Sequence, residues 1–167
     1  MDLLVDTNLL IHLQHPTGNA EAGLTRQLLD WDRAGQITIR VSSVSGYEQE
    51  RTLDMLLAEM ASLGLVSDRL IEWIERPDTG DLIAQINRVL GHRKQGDHYD
   101  ALIVYAALDW ASQGRDTLLV TGDRNILRHA DQLQALGVPP IVTLRSAVNS
   151  LKLHFPLTIT RSSQGSA

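Results

Sequence analysis

Residues 3–8 of this chain read LLVDTN, an apolar run that ends directly at the carboxylate of Asp6. Similar apolar runs, rich in branched residues and bounded by turn residues, follow at residues 37–41, 117–120 and 140–144. Such runs are typical of buried strands, and helical patterns fill the gaps between them. Strands that alternate with helices predict a three-layer α/β fold in which helices flank a central, mainly parallel sheet.

The helical patterns are clearest in the second half of the chain. The longest apolar stripe has the spacing of one helix face, which Gly114 terminates. Its members are Tyr99, Leu102, Ile103, Ala106, Ala107 and Trp110. Residues 52–95 show two or three further helical patterns and no strand pattern, with a turn near Pro77. We therefore predict a helical excursion between the second and third strands.

The length of 167 residues suits one domain, which we place at residues 1–155 with a C-terminal tail at 156–167. The Ser, Gln and Gly at the end of this tail are typical of disorder. No apolar run approaches the roughly 20 residues that a membrane span needs. The amino terminus shows no signal sequence. We therefore expect a cytoplasmic protein with no membrane partner.

The net charge and the absence of Cys limit the kinds of function that the chain can have. A net charge of -5 argues against a general nucleic-acid coat protein, which needs a surplus of Lys and Arg. It argues less against a metal nuclease, because bound ions neutralise the acids of such a site. With no Cys in the chain, disulfides, thiolate zinc sites and cysteine nucleophiles are excluded. Carboxylates and imidazoles remain as the strong metal ligands.

Four acidic residues stand at the carboxyl ends of predicted strands or at the starts of the following helices. They are Asp6, Glu48, Asp100 and Asp123. Each has a simpler interpretation, because Asp is a common helix N-cap and Glu is favoured in a first helical turn. Taken together they indicate a shared site, because carboxyl ends of parallel strands gather at one edge of the sheet. Four carboxylates at one edge would repel one another unless cations neutralised them.

Two neighbouring acids have to be separated from these four. Glu50 lies two residues after Glu48 and points about 160° away around a helix, so only one of the two can face the sheet edge. We prefer Glu48. Asp97 has the capping-box spacing before the helix that carries the longest apolar stripe, and it is assigned as the cap of that helix, with an auxiliary metal role through water. Asp100 lies one turn before the buried stripe, where an unpaired carboxylate is costly, so it is the better ligand.

Hard oxygen ligands and the absence of Cys select Mg²⁺ or Mn²⁺ over zinc. One ion or two would fit such a carboxylate set. In the two-ion version one metal lowers the pKa of an attacking water and the other stabilises the leaving oxygen. The cations nearest in sequence to the acids are candidates for holding flanking phosphates, although solvated surface charge is the simpler interpretation of each. They are Arg93, Lys94, Arg124 and Arg128.

With these residues in place, the chain resembles the PIN-domain family, and in particular the ribonuclease toxins of bacterial toxin–antitoxin pairs. The resemblance rests on residues 5–8 (VDTN), 43–48, 100–103 (DALI) and 120–123 (VTGD), and it spans most of the chain. Two departures are the long helical stretch at 52–95 and the loss of an aromatic residue around Asn125 and Ile126. These two departures affect the expected subfamily and protein partner more than the expected chemistry.

The resemblance implies a parallel sheet flanked by helices, a Mg²⁺ or Mn²⁺ site, and hydrolysis of RNA. The family's acidic positions match Asp6, Glu48, Asp100 and Asp123, and its polar supporting positions match Asn8 and Thr121. An antitoxin protein is the partner that it implies besides RNA. The long helical stretch at 52–95 is a candidate interface for a homodimer or for a larger assembly.

Three other functions use parts of the same pattern. A DNA-directed or flap-type structure-specific nuclease would need the same carboxylates. A catalytically silent PIN-like module would bind RNA or protein, and the loss of one acid would favour it, yet all four are present. A phosphatase or receiver-like domain is disfavoured because no Lys follows the later strands where it would reach a phosphate.

Overall fold

The computed structural model describes residues 1–7, 9, 21–48, 52–73, 75–91 and 98–155. In this part of the chain five strands form one parallel sheet in the order β3-β2-β1-β4-β5. The strands are β1 (Asp2–Val5), β2 (Thr38–Ser42), β3 (Leu70–Ile71), β4 (Thr117–Val120) and β5 (Ile141–Val142). Val5 pairs with Val41 on one side and with Val120 on the other, so β1 is the central strand. The predicted α/β class is confirmed.

Eight α-helices connect and cover these strands within the described ranges. They are α1 (Ala22–Arg33), α2 (Ser43–Glu48), α3 (Leu53–Ser62), α4 (Thr79–Leu90), α5 (His98–Ser112), α6 (Arg124–Arg128), α7 (Ala130–Ala135) and α8 (Leu144–His154). A 3-10 turn at Ser67–Arg69 leads into β3. The longest predicted apolar stripe lies in α5, and Gly114 follows this helix with a φ of 77°. This left-handed conformation is one that Gly adopts without steric cost, so Gly114 ends the helix as predicted.

Two apolar cores lie on opposite faces of the sheet, because successive strand residues point to opposite sides. Leu3 and Val5 belong to one core with α1, α3 and α8, whereas Leu4 belongs to the other with α4, α5, α6 and α7. All three side chains are fully buried. Helices on both faces of a buried parallel sheet make the predicted three layers.

The stretch at 52–95 differs from its prediction. Leu70 and Ile71 form β3, which pairs with Val41 and Ser42 of β2, so the expectation of helices without a strand is wrong. Two residues are too few to give a periodic pattern, and pairing with β2 is what makes this segment a strand. The last predicted strand is also shorter than expected, because Leu144 begins α8 instead.

A buried carboxylate ties the end of α1 to the start of β2. Asp32 is 6% exposed, and its Oδ1 accepts a hydrogen bond of 2.8 Å from the backbone N–H of Ile39. The Arg69 guanidinium lies 3.6 Å from the same oxygen. A charge this deeply buried is tolerated because it is both hydrogen-bonded and paired.

Several predictions fall outside the described residues. These concern Asn8, Arg93, Lys94 and Asp97, and the tail at 156–167. In the part of the chain that is described, no helix has the length and apolar character that crossing a membrane requires.

Candidate functional site

Asp6 stands at the carboxyl end of the central strand, where the order of the strands reverses. The chain runs from β1 outward to β2 and β3, and then returns to β4 on the other side of β1. In open α/β sheets, ligands bind at the carboxyl ends of the strands at this kind of reversal. The Asp6 backbone N–H donates to the Val120 carbonyl at 3.1 Å, which extends the β1 and β4 pairing to this residue. The backbone of Asp6 is therefore held at the carboxyl end of the central strand.

The Asp6 side chain is only 5% exposed and is hydrogen-bonded on both oxygens. Its Oδ1 accepts from the Leu9 N–H at 3.0 Å, which is the contact of a helix N-cap. Its Oδ2 accepts from the Thr121 hydroxyl. The capping interpretation is therefore right for one oxygen. A carboxylate has about four lone-pair sites, so these two contacts do not use its full acceptor capacity.

Thr121 connects Asp6 to Asp123. Its hydroxyl is buried, donates to Asp6, and accepts a 3.0 Å hydrogen bond from the Asp123 backbone N–H. The Asp123 carboxylate then caps α6, because its Oδ1 accepts from the Ile126 N–H at 2.8 Å. The two predicted acids therefore follow adjacent strands, and the Thr121 hydroxyl bridges the Asp6 carboxylate and the Asp123 backbone N–H.

Two buried hydroxyls at the same edge have no hydrogen-bond partner among the described residues. They belong to Thr7, which follows Asp6, and to Ser45 in the first turn of α2. Thr7 is 7% exposed and Ser45 is fully buried. A buried polar group without a partner is costly, so such groups are usually satisfied by water, an ion or a ligand. Both hydroxyls supply additional oxygen atoms at this edge. The sequence did not single them out, although each residue lies within a stretch that carries the resemblance.

The other two predicted acids lie on helices next to this edge. Glu48 ends α2, which directly follows β2, and its side chain is outside the described part. Asp100 lies in the first turn of α5 and is half-buried. Across the described side chains, no three Asp, Glu or His residues lie close enough together to hold a metal ion. Asp6, Asp100 and Asp123 alone therefore do not complete the predicted site, and its four-carboxylate form stays a prediction.

Arg124 and Arg128 are exposed on α6, the short helix that Asp123 caps. Asn125, between them, donates from Nδ2 to the Leu90 carbonyl at 2.9 Å. This bond fixes the end of α4, after which the chain continues to Arg93, Lys94 and Asp97. Asn125 is thus a structural support that the sequence did not reveal, because its partner is a backbone atom 35 residues away.

A test of this geometry is the substitution Thr121→Val, which keeps the size of the side chain and removes the hydroxyl. The buried Asp6 carboxylate loses a donor and the Asp123 N–H loses an acceptor, so we expect a loss of about 1.5–3 kcal/mol in the free energy of unfolding. Urea denaturation measures it. Thr117→Val at the other end of β4 is the control, because its hydroxyl donates only to the Arg115 carbonyl, 3.0 Å away. Equal losses in both variants would contradict the role of Thr121.

No protein-family model matches the sequence, and no curated relative matches it either. The fold is similar to that of a chain in the crystal structure of VapBC2 from Rickettsia felis bound to a DNA fragment from their promoter. The TM-score is 0.52, with 15% sequence identity over 86% of this chain and 98% of that chain. At this identity the similarity is one of fold.

Proposed function

We propose that this chain is a metal-dependent endoribonuclease of the PIN type, which hydrolyses RNA phosphodiester bonds. The observation that carries the proposal is the buried Asp6 carboxylate at the end of the central strand, joined through Thr121 to Asp123. A buried acid at the strand-order reversal, supported by a hydroxyl, has the position of a ligand-binding group in this class of fold. The similarity to the VapBC2 structure supports the same proposal at the level of the fold.

The side chains at this edge fit Mg²⁺ or Mn²⁺ in their donor chemistry. Carboxylate and hydroxyl oxygens are the donors that these hard cations prefer. The hydroxyls of Thr7 and Ser45, which have no hydrogen-bond partner in the described part of the chain, supply further oxygen atoms at the same edge. In the proposed site Asp6, Glu48, Asp100 and Asp123 hold the metal, with Asp97 as an auxiliary ligand. When bound, the metal supplies an activated water and stabilises charge on the phosphate.

The remaining residues are proposed to orient the carboxylates or to bind the substrate. Thr121 holds the Asp6 carboxylate in one orientation through its hydroxyl, and the rigid pairing of β1 with β4 holds the two backbones. Asn8, two residues after Asp6 in the sequence, is proposed to support the Asp6 carboxylate. Arg93, Lys94, Arg124 and Arg128 are proposed to bind phosphates beside the scissile bond, because guanidinium and ammonium groups pair strongly with phosphate oxygens. No nucleophile from the protein is required.

An antitoxin is the protein partner that we propose. One structure with a similar fold is that of VapBC2 bound to a DNA fragment from their promoter, and the sequence resembles the toxins of toxin–antitoxin pairs. An antitoxin would cover the acidic edge with a basic side chain in place of metal charge. In this arrangement the proposed partner inhibits the enzyme by occupying the site of the cation.

Cleavage by the purified chain tests the proposal. With Mn²⁺ or Mg²⁺ present we expect it to cut single-stranded and structured RNA, and EDTA should abolish the activity. Single-stranded DNA of the same sequence is the matched control. Cleavage of DNA at the same rate or faster would replace the proposal with a DNA or flap-type nuclease. No cleavage of any substrate, with RNA binding retained, would replace it with a binding module.

A further inference from the structure

A groove of about 510 Å³ lies beside β3, the edge strand of the sheet. Leu70 and Ile71 of β3 line it, together with Glu72, which follows the strand. Leu57 of α3 lines it from one face of the sheet, and Trp110 of α5 lines it from the other face. The groove therefore reaches both faces of the sheet, as is possible only beside an edge strand.

The backbone of β3 is paired on one side only within the described part of the chain. Its single neighbour in the sheet is β2. The Trp73 N–H donates at 2.8 Å to the hydroxyl of Ser43, which directly follows β2, so this N–H points toward β2. Backbone groups alternate in direction along a strand, so those of Leu70 and Glu72 point away from β2. Such an edge is a template on which another extended segment can pair.

Much of the groove surface is apolar. Leu57 and Leu70 pack against the core on one face of the sheet, and Trp110 packs against the core on the other face. Val66, which precedes the lining residue Ser67, is 58% exposed at the margin of the groove. Sites for small ligands have volumes of about 300–1000 Å³, so the groove has room for an apolar side chain. A segment paired with β3 would therefore gain apolar contacts as well as backbone hydrogen bonds.

The cations near the groove are already paired or lie outside its lining. Arg76 lines the groove and is held by Asp109, with Nε 3.0 Å from Oδ1 and Nη2 3.3 Å from Oδ2. Arg40 is paired with Asp2 at 3.3 Å, and neither Arg40 nor Arg115 lines the groove. The charges of Arg76 and Asp109 therefore neutralise each other at the rim.

Two acids flank β3 and favour a basic occupant. Glu72 lines the groove, is exposed, and forms no ion pair with another described residue. Asp68, before β3, has 74% of its side chain exposed, and its contact with the Arg69 Nε is as long as 3.9 Å. In an extended segment beside β3, a Lys or Arg opposite each acid would be attracted to it.

We propose that this groove docks an extended segment of a protein partner, in which apolar residues lie between Lys or Arg residues. The segment pairs with the open edge of β3 and places its cations opposite Asp68 and Glu72. A second copy of this chain is a poorer occupant, because antiparallel pairing of two β3 strands centred on Leu70 sets Asp68 opposite Glu72. β3 lies two strands from β1, which is about 10 Å, so docking leaves Asp6 uncovered and does not depend on the nuclease proposal.

The test is an NMR titration of the full chain with three synthetic peptides. The first is acetyl-Lys-Val-Leu-Val-Lys-amide, whose two Lys have the spacing of Asp68 and Glu72. The second has Glu in place of both Lys, and the third is the first peptide N-methylated at its three apolar residues. We expect the Lys peptide to shift the amide signals of Leu70 and Glu72 and to slow their hydrogen exchange. The Glu peptide should bind about fivefold more weakly, and the N-methylated peptide at least about tenfold more weakly.

Two variants test the charge complementarity. Glu72→Lys reverses the charge in the lining of the groove, so it should reduce the preference for the Lys peptide over the Glu peptide to about twofold or less. Glu75→Lys is the matched control, because Glu75 is also exposed and does not line the groove. This control variant should keep the preference of the wild type. Both positions are exposed, so both variants should fold.

Several outcomes would overturn the proposal, whether or not the chain cleaves RNA. The first is no binding of the Lys peptide, and the second is equal binding of its N-methylated form, which would exclude strand pairing. If hydrogen exchange at Leu70 slowed with protein concentration in the absence of peptide, the occupant would be a second copy of the chain. If the Lys peptide bound only after removal of residues 156–167, the occupant would be the tail of the chain itself.

Discussion

Asp6→Asn is expected to lower the rate of metal-dependent RNA cleavage by about 10³-fold or more. The reason is that an amide cannot supply the charge that would hold the cation of the proposed site. A metal bound there would contribute several kcal/mol of charge stabilisation, with about 1.4 kcal/mol for each factor of ten. The fold should survive, because the amide oxygen can still accept from the Leu9 N–H. Multiple-turnover cleavage of a labelled RNA measures the effect.

The same variant should lose the stabilisation by metal. At a Mn²⁺ concentration near 100 times the dissociation constant, a site contributes about 2.7 kcal/mol, which raises Tm by roughly 5–10 °C for a chain of this size. Asp116→Asn is the control, because this exposed acid precedes β4 and lies at the opposite end of the strand from Asp123. If Asp6→Asn kept both the Tm rise and the cleavage rate, Asp6 would be only a helix cap.

Asp32→Ala is expected to lower the free energy of unfolding by about 3 kcal/mol, because it leaves the buried Ile39 N–H and the Arg69 guanidinium without their shared acceptor. For a chain of this length the Tm should fall by roughly 6–12 °C, which calorimetry measures. Asp32→Asn should lose less, since its amide oxygen can still accept from Ile39. The two variants therefore separate the hydrogen bond from the ion pair.

Asp30→Ala is the matched control for this prediction. Asp30 lies two residues away on α1, and its side chain is 64% exposed in a salt bridge of 3.1 Å with Arg33. Exposed pairs of this kind contribute about 0–1 kcal/mol, so its Tm should change little. Both variants should cleave RNA normally at temperatures well below Tm. A loss of cleavage without a loss of stability in Asp32→Ala would show that this end of the sheet takes part in the reaction.

The strand ends and the acids that follow them could be predicted from the sequence alone. Apolar runs bounded by turn residues, and stripes at helix spacing, reflect conformational preferences that act within a few residues. For this reason β1, β2, β4 and the long helix α5 were predictable, and so was the place of Asp6 and Thr121 at a strand end. The capping roles of Asp6 and Asp123 were predictable for the same reason.

The long-range contacts of the strand-end residues were decided by the tertiary structure. Thr121 bonds to Asp6 across 115 residues because β4 inserts beside β1, and strand order depends on how all the helices cover both faces of the sheet. The strand β3 exists through pairing with β2, and Asp32 is buried through its contacts with Ile39 and Arg69. The groove beside β3 likewise brings together Leu57 of α3 and Trp110 of α5. These features depend on contacts between distant parts of the chain, which local preferences do not encode.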